Sequence, residues 1–315
     1  MSLTIRPAVL DDAGAISAAF CAQIDIWQRI GGDGRVETVP HDLLTIYQRW
    51  LHGGAWMSIE TASVWLNHLL LGAGLARVAL NASGIIVGYA EAFVGNEPEP
   101  FGRVLHIHHL LAGSPAVRRA LLAQLAQDTR ALRCQRLTVA RIGGDNPYAD
   151  FADLAPIALL RRYSISARQG QVFFRAVDHP NSDAAQIAGW AMPIGRVASA
   201  RTGWEMLYTR MFDSIAEIAA RKTQRLYLSV AGQEAYLHIQ QGMYDPRMAE
   251  VAVWSPKPLS VQVVSAVRDW AYREGYRSLL MTVHDDDRPA LGPDAEADGY
   301  TQETCSVTAR EAGVS

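Results

Sequence analysis

The sequence predicts an α/β (α+β) chain made of two similar halves, and three observations carry that expectation. Strand-like runs alternate with amphipathic helical runs along the whole chain. The halves superpose at a single offset of 142 residues, placing Leu121 on Val263, Leu125 on Val267, Leu137 on Leu279 and Asp145-x-Pro147 on Asp287-x-Pro289. A polar turn cluster, Asp178-His179-Pro180-Asn181-Ser182-Asp183, stands between them. The expected layout is an N-terminal domain over 1–178, a linker over 179–203 and a C-terminal domain over 204–315.

From the N-terminus, Leu3-Thr4-Ile5-Arg6 alternates as a short strand. Asp11-Asp12 then opens an Ala-rich helix expected to reach about residue 29, where Gly31-Gly32-Asp33-Gly34 breaks it. Residues 41–72 read as one or two helices carrying Trp50, Trp56 and Trp65, aromatics that serve as core, as a lid or as the wall of a pocket. Strands are expected at 85–94 and 103–112. A helix at 115–133 starts on Pro115, which suits a first-turn position. Then come a strand at 135–142, a turn at Asp145-Asn146-Pro147, a helix at 151–162 and a strand at 171–177. Residues 186–203 look irregular and 204–222 helical. The second half repeats the order with strands at 225–230, 234–240 and 248–254 and a helix at 260–274. A strand at 277–283, a helix near 289–297 and a last strand at 302–309 close it.

Composition excludes several classes. The chain has 315 residues, 49% hydrophobic and 19% charged, with net charge −3. That length suits two domains of ~100–200 residues each. No positive field draws it to nucleic acid or to an anionic membrane. Only Lys222 and Lys257 are lysines among 29 basic residues, and arginine is the better fork for phosphate and carboxylate. Cys21, Cys134 and Cys305 are too few and too far apart for a disulfide framework or a cysteine zinc site, which points to a reducing cytoplasm. Arg6, Asp11 and Asp12 interrupt any apolar signal core, and Arg77 and Glu91 interrupt the most apolar stretch.

The chemistry-bearing groups are few. His106, His108 and His109 form the single histidine cluster, and strand alternation puts His106 and His108 on one face and His109 on the other. Any of the three could serve as a base; a metal would need a third ligand, and no metal site is expected. The motifs of α/β-hydrolases, P-loop proteins and dinucleotide-binding folds are missing. Asp285-Asp286-Asp287 reads as a Mg²⁺ site or as a solvated loop.

The ordered pattern is more informative. A buried strand, 105–112, runs into Gly113-Ser114-Pro115-Ala116-Val117-Arg118-Arg119, and the next strand, Leu137-Thr138-Val139-Ala140-Arg141, ends in Asp145-Asn146-Pro147-Tyr148-Ala149. The second half gives Val251-Ala252-Val253-Trp254-Ser255-Pro256, then Val263, Val264 and Val267, Gly275, Leu279, Asp287-x-Pro289-Ala290 and Gly299-Tyr300. In this pattern the chain resembles the GNAT-type N-acyltransferase superfamily, twice over. The resemblance implies two tandem domains, each a mixed, mainly antiparallel sheet flanked by helices and splayed between its fourth and fifth strands to admit acyl-CoA.

It also implies an activity: transfer of an acyl group, acetyl from acetyl-CoA, to an amine on a small molecule or peptide. Carried over by position, Leu110 and Ala112 would meet the pantetheine arm, and Ala116, Val117, Arg118 and Arg119 the pyrophosphate at a helix N-terminus. Glu91 and His108, in central strands, are the candidates for the proton acceptor. The family's phosphate turn is glycine-rich, because glycine lets backbone approach phosphate. Here the first turn reads Ala116-Val117-Arg118 and the second Pro258-Leu259-Ser260, with Pro256 and Pro258 removing donors. The expectation is therefore a monomer or homodimer whose first half takes the cofactor. The alternative is a non-catalytic relative that binds a ligand or partner.

Overall fold

The computed structural model describes residues 3–143, 148, 151–219, 222–243 and 245–309. The expected turn at Asp145-Asn146-Pro147 lies outside them. The chain forms two compact units, one from 1–92, 109–127 and 210–220, the other from 93–108, 128–209 and 221–315. Among the described residues no helix is long and apolar enough to cross a membrane.

The first unit opens with β1 (Thr4–Pro7) and the helix Ala13–Cys21. That helix stops eight residues short of its expected end, because the chain turns into a hairpin of β2 (Gln28–Ile30) and β3 (Val36–Thr38). Helices Ile46–Trp50 and Ile59–His68 come next, each N-capped by a hydroxyl, Thr45 and Ser58. β4 (Leu75–Leu80) pairs antiparallel with β1 and with the first part of β5 (Ile86–Asn96). The tail of β6 (Arg103–Ala112) then leads into the helix Pro115–Ala131. Its buried Val117, Leu121, Leu122 and Leu125 face the sheet, and Gly88 makes the close approach possible. A Cβ at Gly88 would stand 2.5 Å from Val117 Cγ1.

In the second unit β6 is followed by β7 (Arg136–Ile142), β8 (Ala152–Ser166) and β9 (Phe174–Asp178). Then come β10 (Ala191–Ile194), β11 (Thr223–Val230), β12 (Gln233–Gln241) and β13 (Met248–Ser255). β14 (Ser278–His284) and β15 (Glu296–Ala309) complete the set. Their order in the sheet is β6-β7-β15-β8-β14-β10-β13-β12-β11-β9. Most pairings are antiparallel; β6 with β7 and β13 with β14 are parallel. The helix Val261–Arg273 packs Val263, Val264, Val267 and Ala271 onto one sheet face, each valine worth about 1.5–3 kcal/mol of apolar burial. Gly275, at φ +88°, ends this helix.

The duplication holds as a strand–helix–strand order around the two parallel pairs, but not at one offset. Pairing equates Val104 with Met248, 144 residues apart, and Arg136 with Ser278, 142 apart. The helix caps Ser114 and Ser260, whose hydroxyls accept from Val117 and Val263, lie 146 apart. The halves are also interleaved: β15, the last strand, lies between β7 and β8 of the first half.

Several expected elements differ. The expected helix at 151–162 is strand from Ala152 on, as part of β8: Tyr163 and Ile165 alternate inward and Pro156 sits at a register shift against Cys305, where a strand tolerates proline. The irregular stretch 186–203 contains β10. The expected helix at 204–222 is broken into Trp204–Tyr208, Met211–Ser214 and Ala216–Ala219. Trp204 stacks on Tyr208 at 3.9 Å and its indole donates to the Ser182 carbonyl at 2.8 Å, so packing overrides helical continuity. Near 289–297 the helical turn falls earlier, at Asp285–Leu291, and 174–178 replaces 171–177 as the strand.

Candidate functional site

Period-two alternation on β5 turns Tyr89 and Glu91 to the same side. Glu91 is fully buried. Its Oε2 accepts three hydrogen bonds: from Trp56 Nε1 at 3.2 Å, Trp65 Nε1 at 3.0 Å and the Tyr89 hydroxyl at 2.7 Å. Burial, reinforced by the Glu91 charge and that hydrogen bond, pushes the Tyr89 hydroxyl well above its usual range, so Tyr89 remains a donor. Of the three tryptophans in 41–72, two are thus anchors for one carboxylate. Trp50 packs edge-on against Phe212 instead.

The other carboxylate oxygen faces a histidine. His109 Nε2 stands 3.8 Å from Glu91 Oε1, and the His109 side chain is one-third exposed. Phe20 meets the His109 ring edge-on at 5.1 Å and stacks on Trp56 at 5.5 Å, fixing the imidazole plane from the side. A buried carboxylate, a partly exposed imidazole and an aromatic wall stand together here. Sequence reasoning singled out Glu91 and set His109 among three histidines.

The other histidines sort by burial. His106, 1% exposed, bonds Thr138 Oγ1 through Nδ1 at 3.0 Å. Burial, aided by the Arg196 charge, lowers its pKa to about 3, so it stays neutral and structural. His108 is half-buried with Phe93 edge-on at 6.0 Å. Two carboxylates of the acidic run have partners: Arg161 donates to Asp285 at 2.9 Å and His284 lies 3.3 Å from Asp286.

At the end of β6, Leu110 and Ala112 are half-buried. Gly113 N–H donates to the Val87 carbonyl at 3.0 Å. In the turn beyond it, Val117 is buried and its amide donates to Ser114 Oγ at 3.4 Å, while the Arg118 amide donates to the Ser114 carbonyl at 3.1 Å. Ala116 is exposed at the first helical turn, where amides lack intrahelical acceptors, and Arg118 and Arg119 flank it, half-buried and exposed. The turn thus offers guanidinium charge with little backbone.

The two parallel pairs end differently. β6 and β7 pair from Val104–Arg136 to Ile107–Val139, and both strands run on past that register. β13 and β14 pair from Met248–Ser278 to Glu250–Leu280, and there β10 takes the place between them, Ile194 pairing with Val253 and with Val283. Gly195 locks this insertion. Its amide donates to the Thr282 carbonyl at 2.7 Å, it sits at φ +76°, and a Cβ there would lie 2.5 Å from the Val251 carbonyl oxygen.

The sequence matches no protein family profile and no curated protein. Solved structures do match. A GCN5-related N-acetyltransferase from Kribbella flavida shares 9% identity, covering 98% of this chain and 72% of its own, at a TM-score of 0.55. One from Anabaena variabilis shares 10%, covering 97% and 72%, also at 0.55. The chain has the fold of the GCN5-related N-acetyltransferases. A conserved protein of unknown function from Enterococcus faecalis matches that fold at 11% identity, 97% and 72% coverage and a TM-score of 0.56. At these identities the likeness extends to the GNAT backbone and not to side chains.

Proposed function

We propose that the protein is an acyl-CoA-dependent N-acyltransferase, moving acetyl from acetyl-CoA to an amine on a small molecule or peptide, with the first half as its catalytic part. The observation that carries this reading is the GNAT arrangement of β6 and β7, whose pairing stops after Ile107 and Val139 while β6 runs on to a helix N-terminus. In this reading the backbone of Leu110 and Ala112 pairs with the amides of the pantetheine arm. The Ala116 amide, with Arg118 and Arg119, takes the pyrophosphate, and the Val117 amide joins only by leaving Ser114.

The reaction is an acyl substitution. The acceptor nitrogen attacks the thioester carbonyl; a C–N bond forms, the C–S bond breaks, and the sulfur leaves as a thiolate that takes a proton from solvent. His109 accepts the ammonium proton. Glu91, too buried to touch the acceptor, holds the His109 ring and stabilises the imidazolium by charge. His108 remains the neighbouring candidate for the same proton. The second half takes no part in CoA binding, a reading supported by β10 between β13 and β14 and by Pro256 and Pro258 in its turn.

Calorimetry with acetyl-CoA, followed by thiol release across a panel of amines, tests the proposal. Amine-dependent thiol release is expected. Binding without turnover across the panel, or no binding, favours a non-catalytic relative, a reading that the missing glycines of both turns support.

A further inference from the structure

The second unit holds a cavity of its own, of about 180 Å³, on the sheet face opposite the helix Val261–Arg273. Alternation explains its lining. Leu237 and Ile239, Ala249 and Val251, and Leu279 and Met281 point into the core, so His238 and Gln240, Glu250 and Ala252, and Leu280 and Thr282 point the other way. Part of this face is covered by the aromatic cluster around Trp204, Tyr208 and Trp254. The rest forms the cavity, with Val197 and Leu207 contributed by the segment after β10.

Its charges are unequal. Arg162 lines one side, but its charge is matched by Asp298, to which its Nε donates at 2.5 Å, and its guanidinium lies 4.8 Å from the centre of the Tyr300 ring. Glu250 lines the other side and, among the described residues, no cation pairs with it. Gln240 stands directly opposite Glu250 in the strand pairing, and buried His238 opposite Ala252. Apolar Val197, Leu207 and Leu280 complete the wall.

We infer that this cavity is a binding site for a small alkylammonium ligand, its nitrogen on Glu250 and Gln240 and its carbon chain on Leu207 and Leu280. A cavity of this size admits a small amine. The chemistry favours a cation because an ammonium gives the Glu250 carboxylate a counter-charge and hydrogen-bond donors, while the stem covers apolar wall. β10 occupies the place where a thioester would have to lie in this half, so the ligand is held and not acylated there. The site does not depend on the first half's proposed activity.

Saturation-transfer NMR on the full chain tests this with butylammonium and, as its neutral match, butan-1-ol. Butylammonium is expected to receive saturation and butan-1-ol not. Glu250→Gln, an isosteric change at an exposed strand position, should weaken the signal by roughly tenfold through loss of the charged hydrogen bond. Glu91→Gln should leave it unchanged. Three results would overturn the inference: no saturation in the parent protein, equal saturation of butan-1-ol, or a signal that survives Glu250→Gln. A signal lost in Glu91→Gln alone would place the amine in the first half.

Discussion

His109 Nε2 lies 3.8 Å from Oε1 of Glu91, a carboxylate whose other oxygen already takes three donors. The two groups thus stand as a pair, one buried and one partly exposed. Glu91→Gln and His109→Ala should each lower amine-dependent thiol release by roughly 10²–10⁴-fold, the usual worth of a positioned base. The double variant should be little worse than either single one. Additive losses in steady-state kinetics would mean that the residues act separately.

Tyr89→Phe keeps the ring and deletes one donor to the Glu91 carboxylate. Hydrogen bonds to charged groups contribute about 1.5–3 kcal/mol, and the urea midpoint should fall by a corresponding amount. An unchanged midpoint would show that Trp56 and Trp65 suffice.

His106 gives the fold an acid sensitivity. Its pKa is lowered in the folded state to about 3, so between that value and the ordinary 6.5 the unfolded chain binds the extra proton. Stability from this residue is therefore full above pH 6.5 and is lost as pH falls, by about 2 kcal/mol at pH 5. Urea titrations at pH 7 and pH 5 should show this loss in the parent protein and a smaller one in His106→Asn. Equal losses would assign the acid sensitivity to other groups.

Much of the fold was legible because its signals are local. Ser114 with Pro115 and Ser260 with Val263 mark two helix starts, and alternating apolar residues mark β11 to β14. The elements that escaped depend on distant partners. Residues 151–162 carry an apolar run that suits either period, and β15 and β14, more than a hundred residues later, make them a strand from Ala152 on. β10 is four residues long and exists because β13 and β14 diverge around it. In the site, Glu91 was visible as a charge in an apolar strand. The tryptophan donors and the choice of His109 were not, because they depend on how the helix layer seats on β5.

Arg196 and Glu97 form a second buried polar unit. Arg196 Nη2 donates to Glu97 Oε1 at 3.1 Å, the Ala200 amide donates to the same oxygen at 3.0 Å, and the guanidinium lies 3.6 Å over the Phe101 ring. Removing one partner leaves a buried charge uncompensated. Glu97→Ala should cost about 3–5 kcal/mol, while Glu97→Leu with Arg196→Met should recover most of it. Denaturant unfolding of both variants measures this, and equal stability of the two would mean that packing, not charge, decides the site.

The central claim is that one half of a duplicated GNAT fold binds the cofactor, and titration calorimetry with acetyl-CoA tests it most directly. The account predicts one site per chain. Arg118→Glu with Arg119→Glu should weaken it by well over tenfold while the melting temperature barely moves, because first-turn arginines add little stability. Two sites per chain, no binding at all, or an affinity indifferent to both charge reversals would contradict it.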